Sequence, residues 1–518
     1  MDSIINSEEI DKQKLSFEVL DDEKKNDINA DKLSILILVF LYVLEGVLYG
    51  ISTAIRIVLQ DMKTPYHDQA KYSMVYWPYS MKLLIAPVFD VSLSSKIGKQ
   101  KMWLFPIQIL IGVTLMYIAP RIQGWLIDEE TPQINKITTI FFFLITLSAI
   151  QDIIIDGWAL NFFRKENVAY SALCNNCGRA FGIIIGFVIL LLLESEKFCN
   201  KWLRIIDQQG GVISFKDFFY LWGIVFIIAA IVIALFKRER VDDNRFKINF
   251  IEVYRLAWKI LNLETIKRFC FVIMTYEIGF AAIEAVAIPK FQEYGVDKDT
   301  IVLVELSLYP VEMFATYVIA KYVVGPKPLS LFMKTMPHRI LVGIFSGLIV
   351  YNTPKYVSEN GSASPYYYIV YELYCIFQKV LTMVMRLSIL SFFSRVSDPS
   401  VSSTYMSILN TLFSLENSIT KTSAIALVSL FTFKHCTNSL KLDHKKVLDE
   451  CEVFVDGFFI EIILCTIFSI SWLLSTKKFI KNLQARNTED WHINKEAYIL
   501  NSKKEKLLSK TPYDSSQK

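Results

Sequence analysis

Histidine is almost missing from this 518-residue chain: there are five, His67, His338, His435, His444 and His492. All fall in loops or at helix ends of the topology derived below. An acyltransferase working inside a membrane would use a buried histidine as its base, so this scarcity argues against one. The Gly-x-Gly-Asp motif of an intramembrane aspartyl protease is also lacking, and no stretch reads as the re-entrant filter loop of a channel. Charge is scarce as well. Only 20% of residues are charged and their sum is +4, too small to suggest nucleic acid as a partner. No cleavable signal peptide is visible.

What is present is apolar. The chain is 53% hydrophobic, and apolar runs of about 20 residues, the length that spans a hydrocarbon core, recur throughout it. A soluble protein of this size would divide into several more polar domains. The expected fold class is therefore all-α integral membrane, with the lipid bilayer as solvent. Twelve transmembrane helices are expected, near 33–55, 70–90, 102–119, 138–163, 170–194, 217–236, 267–288, 300–322, 338–353, 366–393, 402–432 and 457–475. Residues 1–32 carry ten Asp/Glu and five Lys/Arg and read as a disordered acidic tail. Two six-helix bundles follow, 33–236 and 267–476. Between them lies a linker, 237–266, and after them a polar tail, 477–518. Within the linker, FIEVYRLAWKIL (250–261) has apolar residues at helical spacing beside Arg255 and Lys259, which predicts a short helix on the membrane surface.

Lys and Arg cluster between helices two and three (Lys96, Lys99, Lys101), four and five (Arg164, Lys165), and eight and nine (Lys321, Lys327, Lys334, Arg339). The segment 237–268 adds nine Lys/Arg against five Asp/Glu. By the positive-inside rule that side, which holds both termini, is cytosolic. The opposite side carries the glycosylation sequon at Asn360. Cys199, Cys436 and Cys451 fall there too. They are candidates for a disulfide in an oxidising compartment, with unspecified pairing, or are free thiols.

The two halves overlay at an offset of about 230 residues. Trp77-Pro78 meets Tyr309-Pro310, Glu45 meets Glu277, Phe162-Phe163 meets Phe392-Phe393, and Asn175 meets Asn410. Two related six-helix halves are the plan of a parallel-repeat secondary transporter. Asp90, Lys96, Gly98, Lys99 and Lys101 form a loose version of the cytosolic gate loop of such proteins. Gly178, Gly182 and Gly186 make a G-x-x-x-G-x-x-x-G stripe suited to close helix packing.

Charges recur inside the spans, where they normally pair or face water. Counted from the cytosolic ends at about 1.5 Å per residue, Lys82, Asp156 and Arg179 share one depth, with Asp152 a turn deeper. An offset of 230 carries Lys82 to Glu312 and Asp156 to Arg386. The expected pairs are thus Lys82–Asp156 and, with signs exchanged, Glu312–Arg386. Glu45, Glu277, Glu284, Glu305, Lys379, Glu416 and Lys421 complete a polar interior. Its cations would suit an anionic substrate and its acids could relay protons.

The chain resembles the acetyl-coenzyme A transporter family (solute carrier family 33) of the major facilitator superfamily. The resemblance is carried by YWPYSMKLLIAPVFD (76–90), QDIIIDGWAL (151–160), ENVAYSALCNNCGRAFG (166–182), FCNKWLR (198–204), YVVGPKPL (322–329), MPHR (336–339), VSDPSVSSTYMSILNT (396–411) and DGFFIE (456–461). QDIIIDG and WPYSMKLLIAP are more distantly similar to bacterial muropeptide permeases. The resemblance implies a transporter, not an enzyme, with no cofactor. It would move acetyl-CoA by alternating access from the cytosol into the endoplasmic-reticulum lumen, for acetylation there. It gives weight to Lys82, Asp152, Asp156, Asn175, Gly178, Asp398, Tyr405 and Asn410. Arg179, Glu312, Arg386 and Glu416 depart from the family pattern. CoA phosphates would be met by Lys82, Arg179, Lys379 or Arg386. The adenine would stack on Tyr76, Trp77, Tyr309 or Tyr405. The rival reading is a proton-coupled symporter or exporter of another organic anion or peptide. The oligomeric state is not specified.

Overall fold

The computed structural model describes residues 28–82, 84–85, 99–126, 132–162, 170–236, 250–323, 327–357, 364–397, 402–436 and 451–491. Almost all of them are helical, as hydrocarbon requires of a chain that must satisfy its backbone internally. Twelve long helical columns are present. They are α1 (Ile28–Asp61); α2 (Tyr66–Ser73), continued by a 3-10 turn (Met74–Tyr76) into α3 (Trp77–Ser80); α4 (Lys99–Ile118); α6 (Ile134–Phe162); α7 (Tyr170–Ile183), continued by a π turn (Ile184–Ile189) into α8 (Leu190–Glu194); and α10 (Phe215–Phe236). In the second half they are α12 (Glu264–Tyr276), a 3-10 turn (Glu277–Phe280), α13 (Ala281–Ala285) and α14 (Ala287–Glu293); α15 (Lys298–Val323); α16 (Pro328–Tyr356); α17 (Pro365–Val396); α18 (Ser402–Phe431); and α19 (Gly457–Gln484). The connecting elements are the short helices α5 (Ile122–Leu126), α9 (Glu196–Trp202) and α11 (Phe250–Asn262), and a hairpin of β1 (Phe433–Cys436) and β2 (Cys451–Val455).

Among the described residues, nine columns are long and apolar enough to cross a membrane by themselves. The others are α2–α3, α16 and α18, each interrupted or polar. Pro78 explains the break in α2–α3. It lacks an N–H and its ring crowds the carbonyl of Met74, so the turn before it tightens. The helix α11 forms where the linker's periodicity places one. Its Ala257 and Ile260 are buried while Trp258 is exposed.

The ends of the columns fix their direction. Asp61, Glu194, Lys298 and Asp456 gather at one end of the molecule, with Tyr66 and Lys290. At the other end, Trp491 packs its ring 5.3 Å from Phe392, and Thr265 donates to the Asp490 carbonyl. Since α1 ends and α19 begins at the first end, both outer ends of the chain's helical region lie at the second. One apolar cluster gathers buried side chains from Leu38 to Ile233, plus Val302. Two others run from Ala257 to Trp491 and from Ala281 to Cys465, the latter admitting Ala70. Each half thus has its own core. Leu221, Ile228 and Leu235 of α10 remain exposed, as on helix faces that meet lipid.

Arg339 corrects the sequence reading. A ninth span starting at 338 made it a loop cation and placed His338 at a helix end. Helix α16 starts ten residues earlier, because the turns around Lys334 and Arg339 are helical despite their charge. Arg339 is fully buried inside it.

Candidate functional site

The first half holds an ion cluster built by four columns. Tight packing of α1 on α7 brings it together. A Cβ at Gly182 would lie 2.2 Å from the Val43 carbonyl oxygen and 2.7 Å from the Gly46 Cα, so only hydrogen fits. Gly178 and Gly186 press on Tyr42 and Val47 in the same way, and Gly46 and Gly50 answer from α1. This is the close backbone approach that small residues four apart allow. It places Arg179 beside Glu45. Arg179 Nη2 lies 2.8 Å from Glu45 Oε1 and 2.7 Å from Asp152 Oδ1. Lys82 Nζ pairs with Asp152 Oδ2 and sits over the Tyr79 ring. Tyr79 Oη donates to Glu45 at 3.2 Å and meets Ser148 at 2.8 Å.

The expected Lys82–Asp156 pair is therefore replaced by Lys82–Asp152. Asp156 instead accepts from Tyr42 at 2.6 Å and Asn175 at 3.1 Å. The two acids are one helical turn apart on the same face, within one lysine's reach. Burial decides between them. Asp152 is fully buried and Asp156 is exposed, so the cations gather on the carboxylate that water cannot solvate.

The second half does not repeat this wiring. Glu312 pairs with Lys379 at 3.1 Å, not with Arg386, which is exposed and lies over the Phe413 ring. Lys379 and Arg386 are two turns apart on one helix, so both answered the depth argument. Arg339 grips Glu277 through both guanidinium nitrogens, at 2.9 and 2.6 Å, and Glu284 at 2.8 Å. Glu284 also accepts from Gln378 and Thr382. Glu416 is buried and, among the described residues, takes only the Thr420 hydroxyl, at 2.8 Å. Tyr405 is wholly buried, its hydroxyl on the Trp491 carbonyl. It cannot stack on a substrate, which removes it from the expected site. Asn410 is exposed on α18.

The halves meet along α2–α3 and α18. Ser73 and Trp77 donate to Thr422, and Ser80 meets Ser418 and the Ser414 carbonyl. They also meet at the end remote from the termini. There Lys298 reaches Glu194 at 3.3 Å and Asp61 at 3.8 Å, and Ser195 donates to Asp299 at 2.5 Å. Tyr66 donates to Glu293 at 2.8 Å, and Gln60 to the Pro289 carbonyl at 3.1 Å. Lys197 pairs with Asp297, a hydrogen bond that pushes the ammonium's pKa up. These contacts bind the two halves together on that face.

One residue of this region escaped the sequence reading. Arg56 was placed just past a first span ending at 55, yet α1 continues to Asp61. The signal was there, since Ile57-Val58-Leu59 carries the apolar run onward. Of the gate loop, Asp90, Lys96 and Gly98 lie outside the described residues. Lys99 begins α4, and Lys101 donates to the Ala234 carbonyl at 2.8 Å. Asn360 and Asp398 also lie outside the described residues. Cys436 and Cys451 face one another across the β1–β2 ladder. Cys199 does not join them. It is buried beneath α8, its thiol on the Leu192 and Leu193 carbonyls.

A sequence profile of the family described as acetyl-coenzyme A transporter 1 matches residues 34–246, 240–338 and 329–493. An uncharacterised protein of Schizosaccharomyces pombe is 26% identical over 476 residues, covering 89% of each chain. An uncharacterised membrane protein of Saccharomyces cerevisiae is 23% identical, over 88% of this chain and 96% of its own. Among solved structures, the nucleoside transporter NupG shares the fold with a TM-score of 0.57 at 12% identity, covering 88% of this chain and 100% of its own. A bacterial homologue of the human lysosomal transporter Spinster, inward-facing and unoccupied, shares it with a TM-score of 0.55 at 12% identity, over 90% of this chain and 99% of its own. The chain is a multi-pass membrane protein of the major facilitator fold, and it belongs to the acetyl-coenzyme A transporter 1 family.

Proposed function

We propose that this protein carries acetyl-CoA from the cytosol into the lumen of the endoplasmic reticulum, where it supplies acetyl groups for modification reactions. The two helical bundles, 33–236 and 267–476, rock about the substrate and expose it to each side in turn. The observation that carries this reading is the family match along almost the whole chain. The network joining Lys298, Asp61, Glu194, Ser195 and Asp299 supports it as the lumenal closure of one such state. Lys82, Asp152, Arg179, Glu312 and Lys379 are charged groups placed to meet an anionic substrate or to sense its passage.

Purified protein in liposomes, offered labelled acetyl-CoA, should show saturable uptake competed by unlabelled acetyl-CoA. Uptake of a different organic anion with none of acetyl-CoA would sink the proposal. Orientation has its own check. A lumenal hairpin should carry a Cys436–Cys451 disulfide, because directly opposed antiparallel residues have Cα atoms about 4.5–5.5 Å apart, inside the disulfide range. Peptide mapping without reductant should recover that pair with Cys199 free. Free thiols at both positions would count against the lumenal assignment.

A further inference from the structure

Between Leu44 and Gln60 every residue of α1 is buried except Tyr49, Thr53 and Arg56. Their spacing of four and three stacks them on one face of the helix. That face does not look into the first half's core. The Tyr49 ring lies 5.2 Å from Tyr76 and 5.9 Å from Tyr79, centre to centre. Thr53 Oγ1 is 3.3 Å from the Tyr76 hydroxyl. One turn beyond Arg56, Gln60 reaches the Pro289 carbonyl in the other half. From α15 the other half presents Glu305, within electrostatic reach of Arg56, and Tyr309, within reach of Tyr49. The half-buried strip of α1 thus borders the gap between the halves, near its closed end.

Arg56 has no hydrogen-bond or ion-pair partner among the described residues, and its Nε is buried. It lies five residues, about 7.5 Å, inside the end of the span at Asp61. The other arginines buried in spans, Arg179 and Arg339, each hold two carboxylates. Glu305 makes no ion pair with Arg56 and feels Lys379 more strongly, and the acid two turns along, Glu312, is already held by Lys379. An unmatched guanidinium in a membrane interior calls for an anion. Its planar fork suits a phosphate held by two parallel hydrogen bonds. Tyr49 and Tyr76, one to two turns away, offer faces for a purine.

We infer that Arg56 is the phosphate-binding residue for the nucleotide part of the substrate, with Tyr49 and Tyr76 beside the base. Glu305 is the acid that stands opposite Arg56 when no substrate is bound. The inference rests on acetyl-CoA being the substrate. Arriving phosphate meets the Glu305 carboxylate across the guanidinium, so Glu305 weakens binding by repulsion.

Binding to purified full-length protein in lipid nanodiscs tests this with two ligands, acetyl-CoA and acetylpantetheine, which lacks the nucleotide and all its phosphates. Arg56→Gln should weaken acetyl-CoA at least tenfold and leave acetylpantetheine unchanged, which also shows that the variant is folded. Arg56→Lys, which keeps the charge and loses the fork, should fall between. Glu305→Gln should tighten acetyl-CoA several-fold. Arg56→Gln binding acetyl-CoA as tightly as wild type would overturn the assignment and leave acetyl-CoA transport standing. An equal loss for both ligands would also overturn it, since that makes Arg56 structural. If the wild type binds no acetyl-CoA, the substrate reading fails and this inference fails with it.

Discussion

The two halves each bury an arginine between two carboxylates, and the two sites differ in almost every other respect. In the first half Arg179 and Lys82 keep side-chain exposures of 33% and 23%. Those cations are the accessible members, since Glu45 and Asp152 keep 1% each. In the second half Arg339 and Glu277 keep 1% and 8%, and Glu284 19%, so there the cation itself is dry. Glu45 and Glu277 are equivalent in the internal repeat, and both grip an arginine. However, the arginine comes from α7 in one half and from α16 in the other. The repeat has preserved the fold and one acid, and has changed its partner. A partly accessible cation can exchange partners. A dry one cannot, because each ion exposed to hydrocarbon without its partner is strongly destabilising. The first cluster leaves its cations open to a further charge, and the second seals its arginine inside one bundle.

Removing the arginine from each site should break the comparison most sharply. Arg339→Leu strips the cation from buried Glu277 and half-buried Glu284 and should destabilise the protein by about 3–5 kcal/mol, read as a collapse in the thermal unfolding temperature and in yield. If that variant stays folded and merely transports slowly, the dry cluster is not structural. Arg179→Leu should have a smaller effect on stability, about 1.5–3 kcal/mol, because Lys82 still pairs with Asp152 and Tyr79 still donates to Glu45. Its larger effect should be on uptake of acetyl-CoA into liposomes. Equal losses of stability at the two arginines would erase the distinction drawn here.

Finer changes sharpen it. Asp152→Asn removes the carboxylate shared by Lys82 and Arg179, while Asp156→Asn removes one held by neutral donors. Transport should fall more for the first. The reverse order would restore the Lys82–Asp156 pairing expected from the depth count. Tyr42→Phe is the mildest. It deletes one hydrogen bond to Asp156, and Asn175 and water remain. A loss of about 1 kcal/mol is expected, measured by thermal unfolding beside wild type.

Much of the site was legible one residue at a time. The depth count brought Lys82, Asp156 and Arg179 to one level with Asp152 a turn deeper, and the structure joins Lys82 and Arg179 through Asp152. The glycines of α7 announced a close helix contact, although Gly46 and Gly50 on the facing helix went unnoticed. Partner choice was not legible. Lys82 could reach either of two acids a turn apart. Glu312 could reach either Lys379 or Arg386, two turns apart. Long side chains make such alternatives nearly equal in a one-dimensional count. Tyr405 failed as a candidate because its burial depends on the C-terminal turn around Trp491, eighty-six positions further along.

The amino-acid sequence by itself determined most of the membrane-length helices and their order. Each of these depends on apolar length against a bilayer of set thickness, and that comparison is local to each segment. The tertiary structure decided which charges meet, which arginine is sealed, and which, Arg56, is left without an ion pair among the described residues. Those outcomes depend on how each helix is rotated about its axis and how closely its neighbours approach. Both are set by packing among all the helices together, and no single segment carries that information.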